Sequence, residues 1–167
     1  MDSPSGSGCR QCGTPSVAGE DGCKLLFQEV VGREFSRPEL FHIHRVTVDA
    51  YSLQHPDRYM KSAKSAVAHL AGMCWTLEES GDPSVSQALS RFLDGTPRFE
   101  RPHPIPPAGA RGELTILDIH SAPDSGAHVR LVKRWAASAW EAWAEHHPKA
   151  REWVKAARKE LRRRSGR

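Results

Sequence analysis

The sequence predicts an all-α fold, a compact bundle of about five to seven helices with a small cysteine-bearing loop at its N-terminus. Three observations lead there. Ala63, Ala66, Val67, Leu70, Met73, Cys74 and Leu77 recur at the 3–4 spacing of a buried helical stripe. Prolines and small polar residues stand where helices start and stop, at Pro38, Pro56, Pro83 and Pro148. No segment alternates apolar and polar residues long enough to make a sheet.

Taken in order, residues 1–8 are rich in Ser, Gly and Pro and are expected to be disordered. Residues 9–24 form a cysteine loop, and "KLLFQEVVGREF" reads as a helix from Lys24 to Phe35. Pro38 suits the first turn of a second helix, which runs to His55 and ends because Pro56 disfavours the α conformation in the residue before it. The apolar stripe above is the third helix. Gly81-Asp82-Pro83 ends it, and Asp82 or Ser84 caps a fourth helix running to Asp94. A proline-rich loop follows at 95–112, too long for an idle connection, so it either wraps the domain or covers a cleft.

"LTILDI" has strand-like residues, but Thr115 and Asp118 have the spacing of an N-cap and its N3 acid, which favours a short helix. Asp124 or Ser125 then caps a long amphipathic helix that His147-Pro148 breaks, and residues 149–163 make the last one. The organisation is one helical domain over 9–154, with a basic tail at 155–167.

With 38% hydrophobic residues, the chain supports a modest core, and no run approaches the roughly 20 apolar residues of a membrane span. The start "MDSPSGSG" lacks the basic and apolar regions of an export signal, so a cytoplasmic protein is expected. The net charge is +4, but the tail alone carries +6 and the rest about −2. The body is therefore not a nucleic-acid-like surface. The tail reads as a solvated helix end, with weak contacts to phosphate as the alternative.

Cys9-x2-Cys12-Gly13 followed by Cys23 has the look of a zinc knuckle: a short turn presents two thiolates to one ion and a glycine lets the chain fold back. A structural zinc closes with four ligands. Candidates for the fourth are His42, His44, His55, His69 and Cys74, with His44 preferred because the second helix follows the knuckle closely. A Cys9–Cys12 disulfide is disfavoured in a reducing compartment, and a redox pair lacks its strand-to-helix setting. Unrelated thiols in a loose segment are the remaining alternative.

On the second helix His44, Val48, Tyr51 and His55 fall along one stripe, with Val46, Ala50 and Leu53 opposite. Asp49 then needs a buried partner, and His69 can supply it. His44, Tyr51, His55 and His69 are candidate acid–base residues, since histidine titrates near neutrality. Trp135, Trp140, Gln54 and His128 are candidate substrate contacts. Each has a structural alternative: a dipole contact at a helix end for His55, core packing for the tryptophans. No GxSxG elbow, GxGxxG or GxxxxGK[ST] occurs, so no nucleotide cofactor is expected.

"CRQCG…GC", "HRVTVDAYSLQHP", "AVAHLAGMCWTLE", "RGELTILDI" and "HVRLVKRWAASAWEAWAEHH" resemble a group of small uncharacterised bacterial proteins, a domain of unknown function, over about residues 9–153. The family-like positions are Cys9, Cys12, Cys23, His44, Asp49, Tyr51, Gln54, His55, His69, Trp135, Trp140 and His146. The resemblance implies domain bounds and candidate sites but no reaction.

The expected function is a small-molecule enzyme or ligand-binding protein with an interior His/Tyr/Trp pocket, for instance one performing a condensation or cyclisation in a biosynthetic pathway. The alternatives are a zinc-stabilised interaction module without catalysis, docking a partner through its proline-rich loop or tail, and a metal-dependent hydrolase, which needs a second, open metal site.

Overall fold

The computed structural model describes residues 8–80, 85–96 and 98–166, and all its regular elements are helical. Among the described residues there are eight α-helices: α1 (Gly19–Ser36), α2 (His44–Gln54), α3 (Pro56–Tyr59), α4 (Ala63–Glu78), α5 (Val85–Gly95), α6 (Ile116–His120), α7 (Ser125–Glu141) and α8 (His147–Ser165). Six of them are longer than two turns. None is long and apolar enough to cross a membrane.

Helix α2 is the centre of the bundle, packed against α1, α4 and α7, while α8 lies across α4 and α5. The core holds Tyr51, Leu53, Leu70, Met73, Ile116, Ile119, Trp135 and Trp143, all essentially inaccessible. The stripe expected on α4 is buried at Ala66, Val67, Leu70, Met73 and Cys74. The N-cap of α4 is Ser62, whose hydroxyl accepts the Ser65 N–H at 3.0 Å.

Several boundaries differ from the sequence reading, each for a local reason. Helix α1 begins at Gly19 rather than Lys24, with Glu20 and Asp21 in its first turn where acids suit the helix dipole. The knuckle's third cysteine therefore sits on a helix. Residues Pro38–Ile43 form a 3-10 turn, and the α-helical geometry of α2 starts only at His44. The long helix ends at Glu141, a 3-10 turn covers Ala144–His146, and α8 begins at His147 with Pro148 in its first turn.

The short helix α6 has the expected cap, with Thr115 N–H donating to Asp118 Oδ2 at 2.7 Å. Of the two candidates for α7 it is Asp124 that caps, accepting the Ala127 N–H at 2.7 Å. The expected caps Asp82 and Ser84, and residues 1–7 of the segment 1–8 expected to be disordered, lie outside the described residues.

Between Gly95 and Ile116 the proline-rich strap wraps the bundle. Gln54 Nε2 donates to the carbonyls of Arg111 (3.0 Å) and Leu114 (2.8 Å), and Gly109 N–H donates to the Gln11 carbonyl (3.0 Å). Helix α8 continues through residue 155 without a break, burying Trp153, Val154 and Ala157. Toward the end of α4, Arg151 and Arg158 pair with Glu78 and Glu79.

Candidate metal centre

The cysteine loop closes by its own backbone. Cys9 N–H donates to Thr14 O at 2.9 Å and Gly13 N–H to Cys9 O at 2.8 Å. Gly13 takes a φ of +80°, which a side chain would strain, so the glycine after the second cysteine is required by the turn. Cys9 and Cys12 then face Cys23 on α1, and His55 completes the group from the end of α2. These four residues offer ligand atoms within 4.8 Å of one another, and all four are buried.

Cys12 and Cys23 sulfurs are 3.7 Å apart. His55 Nε2 is 3.5 Å from Cys9 Sγ and 3.4 Å from Cys23 Sγ. His55 ends α2: its backbone N–H still bonds to the last turn, while its carbonyl accepts the Arg58 and Tyr59 N–H groups of α3. Pro56 fixes that joint, so the ring is aimed by the backbone on both sides. Nδ1 donates to Tyr51 O at 2.7 Å, which turns Nε2 toward the sulfurs.

Outer groups support the thiols. Thr14 presents its N–H (3.4 Å) and its hydroxyl (3.0 Å) to Cys12 Sγ. The Tyr51 hydroxyl is 3.4 Å from Cys23 Sγ, its ring stacked between His55 and Phe27 at 3.9 Å from each. Burial and the neighbouring Cys23 push that phenol well above its usual range, so it stays a hydrogen-bond donor.

The thiols compete for negative charge. Hydrogen bonds from Cys12 and Cys23 hold Cys9 far below the ordinary thiol value, while the same neighbours and burial push Cys23 far above it. Burial disfavours charge on His55, but its hydrogen bonds to Cys12 and Cys9 outweigh this and raise it to about 9. Protein groups alone therefore support one thiolate readily, and a cation at the centre would support three.

A family model covers residues 7–144. The chain belongs to DUF5946, a family of unknown function. No curated protein and no solved structure matches it. The cysteine loop, α2 and the strap all fall within the DUF5946 match, whereas α8 lies beyond it.

The fourth member of the cluster is His55, not His44, which corrects the sequence-based choice. Helices α1 and α2 run antiparallel, so Cys23 near the start of α1 meets the end of α2, and Glu34 near the end of α1 meets its beginning. His44 Nδ1 accordingly pairs with Glu34 Oε2 at 3.0 Å. Glu34 is fully buried and also accepts from Thr47 Oγ1 (2.5 Å) and His128 Nε2 (2.8 Å). The other ring nitrogen of His128 faces Arg33 at 3.4 Å.

The remaining candidates are engaged elsewhere. His69 Nδ1 bonds Asp49 Oδ1 at 2.8 Å, supplying the partner Asp49 needs. Gln54 Oε1 accepts the Trp135 indole N–H at 2.9 Å in the core. Trp140 donates to Glu78 at 3.2 Å and stacks on His147, and His146 bonds the Pro104 carbonyl at 2.6 Å. Tyr51 and His55 meet at the cysteines, His44 and His128 meet at Glu34, and His69 stands apart from both groups.

Glu34, Thr14, Gln11 and Arg111 were not singled out from sequence. For Glu34 a signal existed: Cys23, Phe27, Val30 and Glu34 fall on one helical stripe, and a carboxylate on a buried stripe demands partners.

Proposed function

We propose that Cys9, Cys12, Cys23 and His55 hold one structural zinc ion, and that the protein is a zinc-stabilised helical module acting by binding rather than by interior acid–base catalysis. The observation that carries this is the spacing of the four ligand atoms. Around zinc, with sulfur at about 2.3 Å and nitrogen at about 2.0 Å, tetrahedral corners lie about 3.8 Å apart for two sulfurs and about 3.5 Å for sulfur and nitrogen. The separations here are 3.7 Å for Cys12–Cys23 and 3.5 and 3.4 Å for His55 to Cys9 and Cys23.

Three thiolates and an imidazole are a soft donor set that suits zinc. Four buried protein ligands also complete the tetrahedron, leaving no open position for a substrate, as structural sites do. The ion would tie the N-terminal loop to the start of α1 and the end of α2. Chelation at neutral pH is the test: it should lower the melting temperature and expose the segment around Cys9–Cys12 to protease, and zinc should reverse both. Unchanged melting after complete chelation would reject the structural role.

A surface cleft supports ligand binding as the form that action takes. About 730 Å³ of open space lies between α5, the strap and α8, lined by the apolar Phe92, Phe99 and Trp153 and by three cations, Arg98, Arg101 and Lys149, against one carboxylate, Glu100. Such a lining suits an anion with a flat apolar body. Aromatic carboxylates and nucleoside monophosphates should quench tryptophan fluorescence saturably, and Arg101→Glu should abolish the effect. An unchanged signal with millimolar ligand would remove this reading and leave the zinc module standing.

A further inference from the structure

Arg111 lies within the strap and is 5% exposed. Its hydrogen bonds go to three backbone carbonyls: Nε to Pro106 at 2.8 Å, and Nη1 to Gln54 at 3.1 Å and Gln11 at 3.5 Å. None of these acceptors carries a formal charge. A guanidinium buried among carbonyls alone bears a desolvation cost that a nearby negative charge must offset. Asp57 acts on it through space, and so do Cys12 and Cys9.

The positions of the acceptors identify what Arg111 serves. Gln11 lies inside the Cys9–Cys12 turn, and Gln54 immediately precedes His55. One guanidinium nitrogen thus bridges the two backbone segments that deliver three of the four metal ligands. A divalent ion with three thiolates and a neutral imidazole retains one negative charge, and forming it at neutral pH replaces thiol protons with metal. A fixed cation beside the site stabilises that product relative to the protonated, metal-free site.

We infer that Arg111 is the counter-charge of the metal centre, a positioning residue that neutralises the residual negative charge of the four-ligand cluster and fastens the proline-rich strap to it. The inference rests on the zinc reading and adds to it. It makes the strap, more than fifty residues beyond the last ligand, part of the metal site.

The test uses the full chain, with zinc affinity measured at pH 7 by competition with a chromophoric chelator and the site followed by the thiolate-to-cobalt absorption of the cobalt-substituted protein. Arg111→Gln should weaken metal binding by about ten- to a hundredfold, the range seen when an outer-shell partner is lost. Arg111→Lys keeps the charge and should stay within a few-fold of the parent. Asp57→Asn, an exposed change that removes a competing negative charge, should leave binding unchanged or tighter, and serves even where Arg111→Gln does not fold.

Equal loss in the Lys and Gln variants would reduce Arg111 to a hydrogen-bonding clamp and overturn the inference. So would full affinity in Arg111→Gln, or weakened affinity in Asp57→Asn. A parent protein that binds no metal at all would instead overturn the zinc reading, and this inference with it.

Discussion

Replacing Glu34 by Leu tests whether the second polar cluster holds the bundle together. Glu34 is wholly buried, and its carboxylate accepts from Thr47, His128 and His44. Leucine roughly fills the volume, so the cost comes from stranded donors rather than a cavity. His44 is 23% exposed at its side chain and can turn to water. His128 is fully buried and loses its acceptor, while Thr47 keeps a 3.4 Å contact to the Ile43 carbonyl.

A stranded buried donor costs about 1–3 kcal/mol, and His128 is the one left without its acceptor, so Glu34→Leu should destabilise the protein by about 1–3 kcal/mol. Urea unfolding followed by far-ultraviolet circular dichroism measures this, with the metal content held constant. The double variant Glu34→Leu/His128→Leu should recover part of the loss, because removing both partners leaves nothing stranded. A single-variant cost below about 1 kcal/mol, or strictly additive losses in the double variant, would refute the reasoning.

Further outcomes follow from other contacts. At Gly72 an added Cβ would stand 2.7 Å from Asp49 Oδ2 and 2.8 Å from Arg45 Nη2, so Gly72→Ala should cost about 1–3 kcal/mol in urea unfolding and disturb the His69 resonances; a neutral effect would mean that the Arg45–Asp49 pair moves aside freely. In the native metal-loaded protein no cysteine should react promptly with a thiol reagent at pH 8. Chelation should release three, and Cys74, buried and pushed up to about 12, should react only on unfolding; rapid labelling of Cys74 in the folded chain would contradict this. Hydrogen bonds from Arg151 hold Glu78 below the ordinary value of 4.5 against the effect of burial. Its contribution to stability is therefore present above pH 4.5 and lost as the pH falls through the lowered folded value, and Glu78→Gln should flatten that acid limb of the stability curve.

The features legible in the sequence are those fixed by neighbours along the chain. The α4 stripe, the Thr115–Asp118 cap and the helix breaks near Pro56 and Pro148 depend on spacings of a few residues, and the structure keeps them. The three cysteines were legible for the same reason. Choosing between His44 and His55 was different, because both lie on one stripe of α2 and local spacing does not separate them. The antiparallel pairing of α1 and α2 decides: it places the far end of α2, not its beginning, beside the cysteine loop. Arg111 is less legible still, since its partners lie 57 and 100 residues away along the chain. An interior pocket was expected from titratable residues near core positions, but in the folded chain His44, His69 and His128 each find a charged partner on a neighbouring helix.

Zinc content by mass spectrometry on protein purified without added metal tests the central claim most directly, comparing the parent with His55→Ala and His44→Ala. About one zinc per chain in the parent and in His44→Ala, with loss of the metal in His55→Ala, is the predicted result. A folded parent chain without zinc would contradict it, as would a metal retained by His55→Ala and lost by His44→Ala.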